Sequence, residues 1–321
     1  MPAAAKPLAG SGHALRLVAE PGQPTMVFTR VFDAPRRLVF EAYSRPEHIA
    51  RWWGPRSHAL TVCEIDFRPG GAWRFVLRSP SGHLHPFRGV YREITAPERL
   101  VFTFIYDVDG IRDDEAVETI VFDERDGQTT VTSTVVHKSV EARDGHLRGG
   151  MEAGASETMD RLAGILPDMD RETVVSRVFA APRELLWEAW TDPRHIVHWW
   201  GPKGFSTTIE AMDVRPGGVW TQVMRGPDGT LYPNKIIFNE IVKPERIAYS
   251  QSGGRKGGPG AHFEGTWTFE SLEAGKTRAT IRMVFPTAAE RDRVVKEFGV
   301  IEGGLQTLER FEEYVVSGFG A

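Results

Sequence analysis

Arg51-Trp52-Trp53-Gly54-Pro55 returns further along the chain as His198-Trp199-Trp200-Gly201-Pro202. The spacing is 147 residues, since 199 minus 52 is 147, and the same offset aligns both flanks. Arg30-Val31-Phe32 and Ala34-Pro35 match Arg177-Val178-Phe179 and Ala181-Pro182; Arg68-Pro69-Gly70-Gly71 matches Arg215-Pro216-Gly217-Gly218; Pro97-Glu98-Arg99 matches Pro244-Glu245-Arg246. The offset holds to Phe122 and Phe269, becomes 148 at Gly127 and Gly275, and is 149 where Gly154 to Leu166 aligns with Gly303 to Val315. The chain is a tandem duplication with one-residue length changes in loops. Its expected organisation is a tail over 1-25, domains over 26-166 and 173-321, and a linker over 167-172, where Pro167 is expected to break the preceding helix.

A length of 321 residues agrees with two domains, and 41% hydrophobic with 26% charged residues is ordinary globular composition. A net charge of -4 leaves no basic excess, so neither nucleic acid nor an anionic membrane is an expected partner. The single Cys63 excludes an internal disulfide framework and fits a reducing compartment. Glu210 stands at its equivalent position, which excludes a thiol chemistry shared by both copies. Met1 to Gly12 is rich in Ala, Pro and Gly without a run apolar enough for a signal peptide or membrane span. It is expected to be a flexible tail of a cytoplasmic protein. Residues 13 to 24 have no counterpart in the second copy and are either an extra strand or more tail.

Met26 to Phe32 is β-branched and aromatic and predicts a strand. Pro35 and Pro46 then open two short helices, the second stopped by Gly54-Pro55. Strand and turn patterns follow, with Trp73, Phe75 and Leu77 alternating against Arg74, Val76 and Arg78. Apolar residues at Ala155, Met159, Leu162 and Leu166, and at Gly304, Leu308, Phe311 and Val315, predict a closing helix in each copy. About seven antiparallel strands per copy, joined mostly by hairpins, give an α+β class.

That order of elements resembles the helix-grip fold of the SRPBCC (START-like) superfamily. The motifs Arg30 to Pro35, Pro46-Glu47-His48-Ile49, Trp52 to Pro55, Pro69-Gly70-Gly71 with Trp73, and Asp160-Arg161-Leu162, with their second-copy partners, resemble the activator of heat-shock-protein-90 ATPase homologue family. The resemblance implies two domains, each a curved sheet wrapped around a long C-terminal helix. It implies no shared catalytic set: relatives resemble binders of small hydrophobic molecules, cyclase-like enzymes or co-chaperones. A tryptophan common in the family near the start of the last helix is Ala155 and Gly304 here, which is expected to enlarge the cavity. The second copy also has Ile236 where the first has Gly89.

Side chains pointing between sheet and helix either pack as core or line a pocket. In the first copy the candidates are Trp73, Phe75, Phe87, Phe102, Phe104, Thr132, Thr134 and Met159. The second copy is expected to offer a more polar pocket, with Trp220, Gln222, Met224, Gln251, Arg282 and Leu308. Convergence of Gln222, Gln251 and Arg282 would need a polar or anionic ligand, because an unpaired buried amide or guanidinium is costly. The tryptophan pairs are expected to be structural, one indole plugging the sheet edge and the other covering the helix junction. His48 and His195 are the equivalent histidines and are expected to make helix-cap or surface contacts. His58, His83 and His85 lack metal-ligand spacing, and their equivalents are Phe205, Thr230 and Tyr232, so no metal is expected. No nucleotide fingerprint is present, so no cofactor is expected. Gly253 to Gly260 reads as a hairpin connection rather than a phosphate loop.

The leading expectation is binding of small hydrophobic or amphipathic molecules, one cavity per domain. The alternatives are a cyclase- or hydrolase-like enzyme, for which Glu118, His137 and Arg282 are the nameable acid-base groups, and a co-chaperone-like module that binds a protein partner.

Overall fold

The computed structural model describes residues 14–110 and 114–318. The chain divides into two compact units between Pro167 and Asp168. Each repeats one succession of elements: a strand, two short helices, six more strands and two further helices.

In the first unit, β1 (Arg16–Val18) and β2 (Thr25–Phe32) precede α1 (Arg36–Ser44) and α2 (Pro46–Trp52). Then come β3 (Ala59–Ile65), β4 (Ala72–Arg78), β5 (Leu84–Thr95), β6 (Arg99–Tyr106), β7 (Ala116–Arg125) and β8 (Gln128–Val136). They form one antiparallel sheet in the order β1-β2-β8-β7-β6-β5-β4-β3. The helices α3 (Val140–Arg148) and α4 (Met151–Met169) close the unit.

The second unit runs β9 (Glu172–Phe179), α5 (Arg183–Thr191), α6 (Pro193–Trp199), β10 (Ser206–Met212), β11 (Val219–Arg225), β12 (Leu231–Val242), β13 (Arg246–Gly254), β14 (Gly260–Ser271) and β15 (Thr277–Val284). Its sheet is ordered β10-β11-β12-β13-β14-β15-β9, and α7 (Ala288–Phe298) and α8 (Val300–Val316) follow. Both units are helix-grip folds in tandem.

Three expectations change. Arg16–Val18, placed in the 1-25 tail, pairs with Val27–Thr29 and makes an eighth strand; Leu17 packs beside Met26, and that apolar contact fixes it. Met1 to Gly12 lies outside the described residues. Pro167 does not end the helix, which continues to Met169, buried at 5% exposure. The unforeseen α3 and α7 begin at Ser139 and Thr287, whose side chains accept from the backbone N–H three residues on. Gly253 to Gly260 is the β13–β14 connection, with Gly254 opposite Gly260.

The repeated Trp-Trp-Gly-Pro motif has an architectural cause. Trp52 Nε1 donates to the Ala42 carbonyl at 2.9 Å and Trp199 Nε1 to Ala189 at 3.0 Å, tying each second helix to the first. The arginine that follows Asp160 or Glu309 clamps the end of the same helix. Arg161 donates to the carbonyls of Arg51 at 2.9 Å and Gly54 at 2.6 Å, and Arg310 to His198 at 2.9 Å and Gly201 at 2.8 Å. These carbonyls lie at the negative end of α2 or α6 and just beyond it, where a cation is favoured. Gly54 has φ 89° and Gly201 φ 104°, a backbone that L side chains rarely adopt.

Candidate functional site

Between sheet and helices of the first unit lies a cavity of about 980 Å³. Six of the predicted first-copy residues line it: Trp73, Phe75, Phe87, Phe102, Phe104 and Met159. Trp53 stands among them, its ring 4.9 Å from Phe75 and 5.1 Å from Phe87, so the second indole of the pair is cavity wall rather than edge plug. Ala155 on α4 opens onto the same space.

Thr132 and Thr134 are corrected. The cavity is lined from β8 by Val131, Ser133 and Val135, and alternation turns both threonines to the opposite face. Residues 131 to 135 put a polar side chain on each face, so polarity misleads about direction there.

The cavity has two polar ends. At one, Glu118 on β7 accepts from Ser133 Oγ at 2.5 Å, with the Tyr43 phenol and the Arg30 guanidinium nearby. Burial pushes the Glu118 carboxyl up, against the opposing effect of the Ser133 hydrogen bond. Burial likewise raises the Tyr43 phenol, Glu118 adding to the shift and Arg30 opposing it. Arg30 is committed elsewhere, at 2.6 Å from Asp160 on α4. At the other end, His137 and His146 meet with ring centroids 5.3 Å apart. His137 is 6% exposed and its Nε2 has no hydrogen-bond partner. Burial first, then His146 and Arg143, push its imidazole down to about 4, against the opposing effect of Asp114. His146 is lowered by burial as well.

Glu118 and His137, named from the sequence only as weak acid-base candidates, therefore both face the cavity. Arg282 does not accompany them. Ile281 and Met283 point into the second core, so Arg282 faces away from it and pairs with Glu172 at 2.6 Å and Asp168 at 2.7 Å. His85 Nδ1 is 2.7 Å from the Tyr106 hydroxyl at the cavity wall, and His58 and His83 lie against its ring. Among the described residues, no three His, Cys, Asp or Glu side chains are grouped to hold a metal ion. His48 is buried near Glu41, and His195 Nδ1 is 2.9 Å from the Tyr314 hydroxyl; neither lines the cavity.

The second unit fills the equivalent space. At matched positions Tyr43 becomes Trp190, Ala116 becomes Phe263, Ile120 becomes Trp267, Ser133 becomes Ile281 and His137 becomes Phe285, all buried. Trp190 has the rings of Trp200, Trp220, Trp267 and Phe238 between 5.9 and 6.1 Å away. Glu118 becomes Gly265, and a Cβ there would overlap the ring of Tyr249, which occupies the room the carboxyl has in the first unit.

Exposure records the same exchange: Met159 is partly exposed to the cavity, whereas Leu308 at its position is 0% exposed. Trp220 and Leu308, expected as pocket residues, are core, and Met224 packs against that core. Gln222 does point inward, 1% exposed with neither amide atom partnered, while Gln251 Nε2 is 3.4 Å from Asn234 Oδ1. The expected convergence of Gln222, Gln251 and Arg282 on a second, more polar cavity is not present. A groove of about 320 Å³ lies over β10 to β13 of this unit, with Gln222 and Asn234 in its lining.

Among the described residues no helix is long and apolar enough to cross a membrane. Several solved structures resemble one half of the chain. Protein Ms6760 from Mycobacterium smegmatis is 25% identical with a TM-score of 0.44, the match covering 48% of this chain and 96% of that one. A protein from Arthrobacter aurescens is 26% identical, TM-score 0.43, with 46% and 87% covered. A di-domain ARO/CYC protein, BexL from the BE-7585A biosynthetic pathway, aligns over 91% of this chain and 98% of its own at 13% identity and a TM-score of 0.37. No curated protein sequence matches the chain. The sequence profile described as Activator of Hsp90 ATPase homolog 1-like protein matches residues 33–167 and again 180–316. Matched over most of its length and in both halves, the chain belongs to that family.

Proposed function

We propose that the chain binds one small, largely apolar molecule, in the cavity of its first unit, and that the second unit is a filled copy without a ligand of this kind. The observation that carries the reading is the contrast between equivalent positions. A hollow of about 980 Å³ walled by aromatic rings matches the size range of small-molecule pockets. The protein keeps it open although it has, in its own second copy, the side chains that close it.

Titration with the neutral fluorophore N-phenyl-1-naphthylamine tests the proposal. One site per chain is expected, abolished in Ala116→Phe and retained in Trp267→Phe. Stoichiometry of two, or binding unaffected by Ala116→Phe, would refute it. Native mass spectrometry of protein purified from its own host is expected to show a co-purifying small molecule.

A further inference from the structure

The chemistry of the cavity wall says which molecules it accepts, provided the first unit binds a ligand as proposed above. Apart from Glu141, whose carboxyl is held ionised by hydrogen bonds to its own backbone and to Ser139, the Arg, Lys, Asp and Glu side chains that reach the wall are paired or suppressed. Arg30 Nη1 pairs with Asp160 at 2.6 Å while its buried Nε has no hydrogen-bond partner, and at the far end Lys138 pairs with Asp114. Glu118 has no cation among the causes of its shift; burial alone raises it, and Ser133 is the neighbour that opposes the rise. His137 and His146 are both held toward the uncharged imidazole.

A carboxyl in its acid form is a donor, and Ser133 Oγ already donates to one of its oxygens. The remaining O–H of Glu118 is then available to whatever occupies the cavity it lines. At the other end, the unpartnered Nε2 of His137 is buried at a cost that a ligand hydrogen bond would offset. In the second unit both groups are absent, as Gly265 and Phe285, which links the polar pair to the presence of the hollow rather than to the fold.

We infer that the cavity selects uncharged ligands over anionic ones, recognising a carbonyl or ether oxygen by the carboxyl of Glu118 and a second polar group by the imidazole of His137. An anion entering the same place would meet a carboxyl that ionises less readily beside it, and an arginine whose charge is already paired with Asp160 and which has only its Nε left to donate.

The test uses two probes sharing one ring system, the ketone 6-propionyl-2-(dimethylamino)naphthalene and the carboxylate 6-(dimethylamino)-2-naphthoate, titrated into the full chain. At pH 7 the ketone is expected to bind at least about tenfold more tightly, the ratio for one well-made hydrogen bond against one uncompensated charge. Glu118→Leu should weaken the ketone about tenfold, while Glu118→Gln, which keeps an N–H donor, should stay within about threefold of wild type. Ketone affinity should fall as pH rises through the Glu118 titration, and be flat in Glu118→Gln. The other groups facing Glu118 are the hydroxyl of Ser133, the phenol of Tyr43, itself raised, and the Asp160-paired Arg30.

Equal or tighter binding of the carboxylate, or full ketone affinity in Glu118→Leu, would overturn the inference while leaving cavity binding intact. Failure of both probes to bind, or binding that survives in Ala116→Phe and Ser133→Ile, would instead overturn the binding proposal beneath it.

Discussion

Acidification should loosen the first unit through His137. In the unfolded chain its imidazole titrates near the ordinary 6.5, and in the fold burial holds it to about 4. Between those values the unfolded state binds the proton and the folded state does not, so stability falls as pH drops through 6.5 and levels off below about 4. The full shift corresponds to at most about 3 kcal/mol, at 1.36 kcal/mol per unit. The ring borders a cavity that water can enter, so screening brings the expected loss to about 1–2 kcal/mol.

His146, lowered by burial, acts in the same direction. Glu118, whose carboxyl is raised, acts oppositely: its contribution is largest at low pH and is lost as pH rises through its folded titration. The clean comparison is therefore between wild type and His137→Phe, the residue the second unit already carries as Phe285. Calorimetric unfolding at pH 7.5 and 4.5 should show the wild-type transition losing about 1–2 kcal/mol relative to the variant. Parallel pH dependence in the two proteins would refute the reasoning, as would an NMR titration placing the His137 midpoint near 6.5.

Arg161→Met removes the donors that hold the carbonyls at the end of α2 and should cost about 2–4 kcal/mol by chemical denaturation; Arg310→Met should cost a similar amount in the second unit. Trp267→Ile, which restores the first-unit residue, should destabilise the second unit by about 3 kcal/mol in calorimetry by leaving a void in a filled core. Arg282→Met strips a buried carboxylate, Glu172, of a 2.6 Å partner and should cost about 3 kcal/mol without altering probe binding. Thr132→Val, on the outward face of β8, should change neither probe affinity nor stability by more than about 0.5 kcal/mol.

The fold was legible in the sequence because it is written twice. Three of the repeated motifs have a backbone or capping duty: an indole N–H tying two helices, a glycine at positive φ, an arginine clamping a helix end. Alternation on β4 and β6 correctly turned Trp73, Phe75, Phe102 and Phe104 inward, because large aromatics leave little choice of face. It failed on β8, where residues 131 to 135 mix small polar and apolar groups, although Arg282 opposite Thr134 in the alignment already argued for the outward direction. What periodicity could not give is volume. Whether inward rings meet or stand apart depends on the summed size of side chains contributed by separate elements, and no single window of sequence holds that sum.

That sum separates the two copies. In the second unit Trp190 comes from α5, Trp200 from the end of α6, Trp220 from β11 and Trp267 from β14, and Trp190 packs against all three of the others in one buried cluster. Removing one of those rings leaves a dry void of the kind that destabilises. In the first unit the corresponding residues are Tyr43, Trp53, Trp73 and Ile120, and the space beside them is bordered by Glu118 and His137. Neither group is compatible with a closed apolar core: a carboxyl among packed tryptophans would lose the room Tyr249 takes, and an imidazole nitrogen would stay unpaired. Polar wall and open volume therefore require each other, and exchanging one without the other should give a domain that neither binds nor packs well. The double exchange Glu118→Gly with His137→Phe, joined to Tyr43→Trp and Ile120→Trp, is expected to close the first unit and raise its melting temperature. Recovery of probe binding in that variant would show that the hollow is set elsewhere.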